Sequence, residues 1–335
     1  MERFRGTKFG LLKVGKYLTD SDLRQAYAEY KESEEIALRL IINTILSEGW
    51  MVSLSKPMAP EDLAKEYEYT NIPLLNQILR LMKEEDILQE KDGIYQIKEV
   101  KTSPIRPEDI GTVLTNFYYD CAQYLPAALR GQNVELDQVP RIVLESVFSS
   151  TLTEKGRAVL LKSFAPKNPT EVGVAAFADV GLPYTLKQIQ DILSPKRIHL
   201  FMQNYRWLSP LTSVLRLSSE STILEKLTTD LLGRSIDAHL DLIYGEELFA
   251  YDHDTLENRV EIVSSYLRPG AKIITNDPIL PQGETLSSPA YILMQTIEGY
   301  PQPLDRDYIE RVFATYGLII QTIGDNWIIA EKEGN

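Results

Sequence analysis

The sequence has few of the residues that form disulfides and metal sites. Its 335 residues include one cysteine, Cys121, and three histidines, His199, His239 and His253, which stand far apart. A lone cysteine cannot form an internal disulfide, and no His-Glu-x-x-His spacing is present. The sequence therefore predicts neither a disulfide nor a metal site.

Positive charge and long apolar runs are also scarce. The chain carries 35 Lys and Arg against 48 Asp and Glu, a net charge of -13. Because phosphate backbones are bound by clustered Lys and Arg, this balance excludes a general basic surface for nucleic acid. No run approaches the roughly 18 unbroken apolar residues of a membrane span, and the first residues do not form a secretory signal. We expect a cytoplasmic protein with no nucleic-acid or membrane partner.

The first hundred or so residues predict helices followed by a hairpin. Residues 33–49 form a helix pattern whose apolar positions cover much of its circumference, which is typical of burial on two sides. We expect one side to face its own domain and the other a second chain. Pro60 and Asn71 each predict the start of a helix, and Asp92-Gly93 predicts a hairpin turn. Helix, helix, hairpin is the pattern of a winged helix.

The charge of this winged helix argues against DNA binding. Residues 52–101 contain seven basic and ten acidic side chains, and the helix that would read DNA ends in Glu84, Glu85 and Asp86. Phosphates would repel that end. We therefore expect the module to pack or dimerise, and we predict a homodimer.

A proline-containing passage at 101–111 is typical of a linker. Helices are predicted at 107–129, 140–148 and 153–164. The predicted domains are a winged-helix dimerisation domain (1–101), a helical connector (102–165) and an α/β domain (166–335). An aromatic cluster at 117–124 either lines a ligand pocket or, as helical spacing more often indicates, belongs to the core.

The remaining chain alternates strand and helix patterns. Strands are predicted at 171–177, 197–202, 239–245 and 271–277, with helices at 183–193, 254–267 and 305–317 and a long helical section after 202. Two final strands meet at Gly324-Asp325. Alternation predicts an α/β fold with a mostly parallel sheet covered on both faces, and the closing hairpin makes the last strand antiparallel.

This order of parts, with "YLRPGAKIIT" at 266–275, resembles the S-adenosylmethionine-dependent O-methyltransferases of small molecules. The resemblance covers nearly the whole chain. It implies a winged-helix dimerisation domain followed by a Rossmann-like methyltransferase domain, with S-adenosylmethionine as cofactor and a small hydroxylated molecule as methyl acceptor.

The resemblance also implies where the cofactor binds. In that family the first strand of the α/β domain ends in an acidic residue followed by glycines, so that the backbone can lie close to the methionine part of the cofactor. Here "AAFADVGLP" offers Ala178, Asp179 and Gly181, and the end of the next strand offers Gln203 or Asn204 for the ribose hydroxyls. A register based on Glu171 and Gly173 would require a strand at "SFAPKNP", which its prolines disfavour.

The family's general base is a histidine just after the fourth strand of the sheet, where it removes the proton of the acceptor hydroxyl. That position falls near Ala250 or Tyr251, and His253 follows two or three residues later. His253 is the predicted general base, with Asp252 or Glu247 to orient it. A helix-entry histidine in solvent is the competing interpretation.

The glycine-poor loop and displaced histidine support a second hypothesis: a catalytically inactive methyltransferase-fold dimer that serves as an interaction or ligand-sensing subunit. Two other polar residues have expected places. His199 lies in an apolar strand and is predicted to be a core histidine. Asp241 begins a strand whose far end, at 244–247, should lie at the carboxyl edge of the sheet, where α/β folds bind ligands.

Overall fold

A computed structural model describes residues 21–98, 105–135, 149–176, 181–202, 223–228, 239–246, 248–249, 256–277, 279, 288–297, 304–323 and 327–334. The chain forms two compact units. One contains 25–143 and 284–300, and the other contains 1–24, 144–283 and 301–335. The predicted domain boundaries after 101 and 165 stay predictions.

The helices are α1 (Ser21–Ile45), α2 (Met51–Ser53), α3 (Pro60–Tyr67), α4 (Ile72–Glu84), α5 (Val113–Leu129), α6 (Thr151–Phe164), α7 (Leu182–Leu193), α8 (Leu256–Tyr266), α9 (Pro289–Met294) and α10 (Arg306–Thr315). A π turn, Leu46–Trp50, follows α1, and a 3-10 turn, Pro107–Ile110, precedes α5. The strands are β1 (Leu88–Lys91), β2 (Ile94–Ile97), β3 (Glu171–Ala176), β4 (Arg197–Met202), β5 (Ile223–Thr228), β6 (Leu240–Glu246), β7 (Leu267–Asn276), β8 (Leu318–Ile323) and β9 (Ile328–Lys332).

The first unit has the predicted helix-helix-hairpin order. The Asn71 side chain accepts a hydrogen bond from the backbone N–H of Leu74 and caps α4. Asp92 and Gly93 have φ angles of 53° and 78°, the left-handed pair that a tight two-residue hairpin requires. These helices and the hairpin are confirmed, and their order is consistent with a winged helix.

The predicted helix at 33–49 is confirmed and begins earlier, at Ser21. Its apolar residues, among them Ile36, Leu40, Ile41 and Ile45, are buried within one copy of the chain. By length and composition alone, the stretch Ala28–Ser53 could span a membrane. A buried core helix meets the same criterion, and these side chains belong to the core of their unit.

The aromatic cluster on α5 is divided between core and surface. Phe117 and Tyr118 are buried in the hydrophobic core, whereas Tyr119 and Tyr124 are exposed. Burial raises the pKa of the Cys121 thiol to about 12. The buried members therefore belong to the core, and Cys121 is an unreactive thiol.

A buried carboxyl group on α1 gives the first unit a pH-dependent stability. Glu34 is 7% exposed, and burial raises the pKa of its carboxyl, although hydrogen bonds from Tyr30, Ala290 and Ser288 oppose that shift. Because the folded-state pKa lies above the unfolded value, the stabilisation present at low pH is lost as pH rises through the folded pKa.

We expect Glu34→Gln to remove this loss and to raise the melting temperature by about 2 °C at pH 8, with a smaller gain at pH 5.5. Thermal unfolding followed by circular dichroism across that range measures the difference. Glu35→Gln, at the exposed neighbouring position, is the matched control and should show no such trend. An equal rise in melting temperature for Glu34→Gln at every pH would contradict the inference that ionisation of Glu34 destabilises the fold.

The second unit is built on a seven-stranded sheet with the order β5-β4-β3-β6-β7-β9-β8. Strands β3 to β7 run parallel, and β9 pairs antiparallel with both β7 and β8. The α/β class, the mostly parallel sheet and the antiparallel last strand are confirmed. The register of β3 runs from Val172 opposite Leu242 to Ala176 opposite Glu246 on β6.

Two elements differ from the predictions. Strand β5 lies within the section predicted to be helical, because its six residues "ILEKLT" are stabilised by pairing with β4. Helix α9 was not predicted, because six residues are too few for a helical period to show. The predicted helix at 140–148 lies outside the described residues.

The order of the parallel strands reverses direction at β3. The chain places β4 and then β5 on one side of β3, and β6 and β7 on the other. Every residue of β6 is buried, as expected of a central strand covered on both faces. In open α/β sheets, ligands bind outside the carboxyl ends of the strands at such a reversal. The ends of β3 and β6 are therefore where a site is expected.

Candidate functional site

A buried carboxylate lies at the carboxyl end of β6. Glu246 is the last residue of that strand and is 2% exposed. Its Oε1 atom accepts a hydrogen bond of 2.6 Å from Nε of Arg157 and one of 2.9 Å from Oγ1 of Thr185. The two donors come from α6 and α7, so three elements of the second unit converge on one carboxylate oxygen.

The Thr185 hydroxyl has two acceptors within reach. Besides Glu246, it lies 3.3 Å from the carbonyl oxygen of Gly181, the residue directly before α7. A hydroxyl has only one hydrogen to donate, and the shorter, charge-assisted contact is the stronger one. We therefore assign the hydrogen to Glu246.

Arg157 is held on its other side as well. Its Nη1 atom donates to Oε1 of Gln188 at 2.6 Å, and Nε2 of Gln188 donates to the Glu154 carbonyl at 2.8 Å. This chain ties α6 to α7. Since both ends of the guanidinium are fixed, the position of the Glu246 carboxylate is fixed with it.

The cluster is electrically balanced. Burial lowers the pKa of Arg157, but the charge of Glu246, together with hydrogen bonds to Glu246 and Tyr244, outweighs burial and holds that pKa above its usual value. Burial, together with the charge of Glu246, raises the pKa of Tyr244, so its phenol stays neutral. One positive and one negative charge therefore face each other with no net charge.

One atom of the cluster lacks a donor. Oε2 of Glu246 is buried and has no hydrogen-bond partner among the described residues. Buried acceptors are nearly always paired in folded proteins, with protein, water or ligand, because an unpaired one keeps its desolvation cost. This oxygen therefore marks the position for a donor from outside the described residues.

The chain that follows β6 is fixed by a second buried acid. Asp277, just after β7, accepts hydrogen bonds from the Phe249 backbone N–H at 2.9 Å and from Oγ1 of Thr275 at 2.5 Å. A Cβ at Gly245 would lie 2.6 Å from Cβ of Leu248, so this close approach needs glycine. Asp277 thus holds the backbone at Phe249, directly before the position at which the resemblance expects a general base.

Of the predicted site residues, Gly181 lies at this site: it precedes α7, and its carbonyl faces Thr185. The described residues do not include His253, Ala178, Asp179, Gln203 or Asn204, nor Asp252 or Glu247. Their roles stay predictions.

The other two polar predictions hold. His199 is buried, and its Nε2 atom lies 2.7 Å from Oε2 of Glu171, so it is a core histidine. Asp241 lies at the start of β6, at the opposite edge of the sheet from Glu246.

Sequence reasoning placed residues 244–247 at the carboxyl edge of the sheet without singling out Glu246, and it missed Arg157 and Thr185. One signal was available: "LDLIYGE" is a continuous strand pattern with a carboxylate at its carboxyl end, and β6 is buried throughout. A charged side chain on such a buried strand needs a partner from another part of the fold. Nothing in the helical pattern of α6 identified Arg157 as that partner.

No family model matches the sequence, and no curated protein matches it. Solved structures match it in fold. The CurJ carbon methyltransferase is 13% identical, with 96% of this chain and 98% of that chain covered and a TM-score of 0.65. An O-methyltransferase family 2 protein from Planctomyces limnophilus, in complex with apigenin, is 13% identical over 90% and 93%, with a TM-score of 0.56.

Human N-acetylserotonin methyltransferase, in complex with SAM, is 14% identical, with 94% of this chain and 99% of that chain covered and a TM-score of 0.51. At these identities the likeness establishes the fold. The likeness covers nearly the whole chain and confirms the α/β methyltransferase fold that the resemblance implied. The N-terminal winged helix is consistent with it and stays a prediction.

Proposed function

We propose that the protein is an S-adenosylmethionine-dependent methyltransferase that acts on a small hydroxylated molecule. The observation that carries the proposal is the Glu246 and Arg157 pair, buried at the strand-order reversal of a methyltransferase fold with one carboxylate oxygen lacking a donor. The names of the structural neighbours, a carbon methyltransferase, an O-methyltransferase and a methyltransferase in complex with SAM, support the same chemistry.

The described residue Glu246 fits the cofactor. Oε2 of Glu246 needs a donor, and the amino-acid part of S-adenosylmethionine carries an ammonium. When bound, this cofactor supplies an electrophilic methyl group. In the proposal, the segment at 178–181 holds the methionine part, and Gln203 or Asn204 accepts hydrogen bonds from the ribose.

The proposed general base is His253, which would take the proton of the acceptor hydroxyl as that oxygen attacks. Asp252 or Glu247 would orient the imidazole. These roles rest on the sequence resemblance. The described part of the site contributes Phe249, whose backbone N–H is held by Asp277 four residues before this histidine.

Calorimetric titration with S-adenosylmethionine, and separately with its demethylated product S-adenosylhomocysteine, tests the proposal. We expect dissociation constants in the micromolar range for both. Adenosine serves as the control ligand for the nucleoside part alone. Absence of binding by folded protein would overturn the proposal and favour the inactive interaction or ligand-sensing subunit.

We further propose that the protein is a cytoplasmic homodimer, without a nucleic-acid partner, that associates through the unit containing residues 25–143. Exposed large apolar side chains concentrate in that unit: Met51, Val52, Ile72, Ile94, Val113, Tyr119 and Tyr124. Light scattering on a size-exclusion column should give twice the 38.1 kDa chain mass. Val52→Glu, at a side chain 78% exposed, should shift the protein toward the monomer, and a monomeric wild type would contradict the proposal.

A further inference from the structure

We propose that Glu246, on β6, supplies the carboxylate that binds the ammonium of the methionine part of the cofactor. Strand β3 ends in Ala176, which has no hydrogen-bonding side chain, and Glu246 lies opposite it in the register. The resemblance expects the acidic residue at the end of β3, the first strand of the α/β domain. Neighbouring strands lie about 5 Å apart, so a carboxylate on β6 would be displaced from that position by one strand. This inference rests on the proposed function.

The Glu246 carboxylate is held in one orientation. Arg157 and Thr185 both donate to Oε1, at 2.6 and 2.9 Å. Two convergent donors from two helices fix the rotation of the carboxylate and therefore the direction of Oε2. Arg157 is a positioning residue here: it acts on the ligand through Glu246, and it balances the charge of Glu246 so that the buried pair is neutral.

The chemistry of Oε2 selects the kind of group that it binds. An oxygen of a carboxylate paired with a guanidinium accepts hydrogen bonds and cannot donate them, so the ligand atom must carry a hydrogen. An ammonium makes the stronger, charge-assisted bond. In the amino-acid group of the cofactor the ammonium stands beside a carboxylate, and the zwitterion that these two charges form has no net charge, which suits a buried pair that is itself neutral.

A place for the carboxylate of the same zwitterion lies close by. Helix α7 begins at Leu182, and Thr185, in its first turn, already touches Glu246. The first backbone N–H groups of a helix have no partner within the helix and favour anions. Glu246 therefore lies one hydrogen bond from the first turn of α7, whose free N–H groups, present at each position except Pro183, are donors for that carboxylate.

The test compares S-adenosylhomocysteine with 5′-methylthioadenosine, which lacks the amino-acid group, by calorimetry on the full-length protein. We expect the wild type to bind S-adenosylhomocysteine more tightly. Glu246→Gln should lower the affinity for S-adenosylhomocysteine at least about 10-fold, because the loss of a hydrogen bond to a charged group typically changes an affinity by about that factor. The affinity for 5′-methylthioadenosine should stay within about twofold.

Asp241→Asn is the matched control, because it changes a buried acid at the other end of the same strand. It should leave both affinities within about twofold, while melting curves confirm that each variant is folded. If Glu246→Gln does not fold, Glu246→Asp keeps the charge beside Arg157 but withdraws the free oxygen by one methylene. It should show the same selective loss.

The outcomes separate this inference from the proposed function. Wild type that binds neither nucleoside overturns both. Wild type that binds S-adenosylhomocysteine, with variants that bind it equally well, overturns only the role of Glu246 and indicates that a buried water satisfies Oε2. Equal losses for both ligands also overturn the inference, because they indicate a structural effect on the whole site.

Discussion

Replacing Arg157 with methionine is expected to lower the free energy of unfolding by about 3–5 kcal/mol. The substitution keeps the length and most of the apolar volume of the side chain but leaves Glu246 buried without its counter-ion. Arg157 and Glu246 are each 2% exposed, so water cannot replace the lost donor without opening the packing of α6 and α7 against the sheet. The unpaired charge, rather than the lost attraction, dominates the cost.

Urea denaturation followed by circular dichroism measures this loss. The double variant Arg157→Met with Glu246→Leu removes both charges and should recover part of the stability, because a buried ion pair is often no more stabilising than apolar residues of similar volume. Arg197→Met is the control. Its side chain is 45% exposed and lies 3.9 Å from Glu171, and exposed pairs contribute about 0–1 kcal/mol. Similar losses for Arg157→Met and Arg197→Met would show that the buried pair is hydrated.

The parts of the fold that the sequence predicts are those set by local chemistry. Asn71 caps α4 because its side chain reaches a backbone N–H three residues on, and Asp92-Gly93 turns the hairpin because both residues tolerate a positive φ. The alternation of strands and helices beyond residue 170 is equally local, and it determines the parallel sheet through the requirement for crossover connections.

The parts that the sequence does not predict depend on partners far along the chain. Strand β5 has six residues, and its strand conformation depends on pairing with β4. Helix α9 packs in the core of the unit formed by residues 25–143 although it lies more than a hundred residues later. Local propensity is too weak to decide such elements, because tertiary packing overrides it.

The candidate site shows the same limit. Arg157 and Glu246 are 89 residues apart. Arg157 lies in the middle of α6 and Glu246 at the end of β6, and each alone looks like an ordinary charged residue. Periodicity indicates which face of α6 is buried but not which charge that face must meet. Gly181 precedes α7 because the start of a helix is set locally, whereas the partner of a buried charge is set by the fold. The cofactor-binding role of Gly181 stays a prediction.

Replacing Asp241 with alanine is expected to cost about 3 kcal/mol or more of unfolding free energy. Asp241 is 1% exposed, and its Oδ2 atom accepts three hydrogen bonds: from the backbone N–H of Thr170 at 2.5 Å, from its Oγ1 at 2.9 Å, and from the backbone N–H of Glu171 at 3.1 Å. Alanine would leave these donors unpaired where β3 enters the sheet. The effect should therefore concentrate at the start of β3.

Asp241 also contacts Arg268, with 2.5 Å between Oδ1 and Nη2, but the Arg268 side chain is 55% exposed. Water can solvate that guanidinium when the acid is removed, so Arg268→Met should cost less than about 1 kcal/mol. Asp241→Asn keeps one acceptor oxygen and should fall between the two. Urea denaturation ranks the three variants, and amide hydrogen exchange at Thr170 and Glu171 should accelerate in Asp241→Ala. If Asp241→Ala costs no more than Arg268→Met, the acid does not hold the start of β3, and the sheet alone orders that strand.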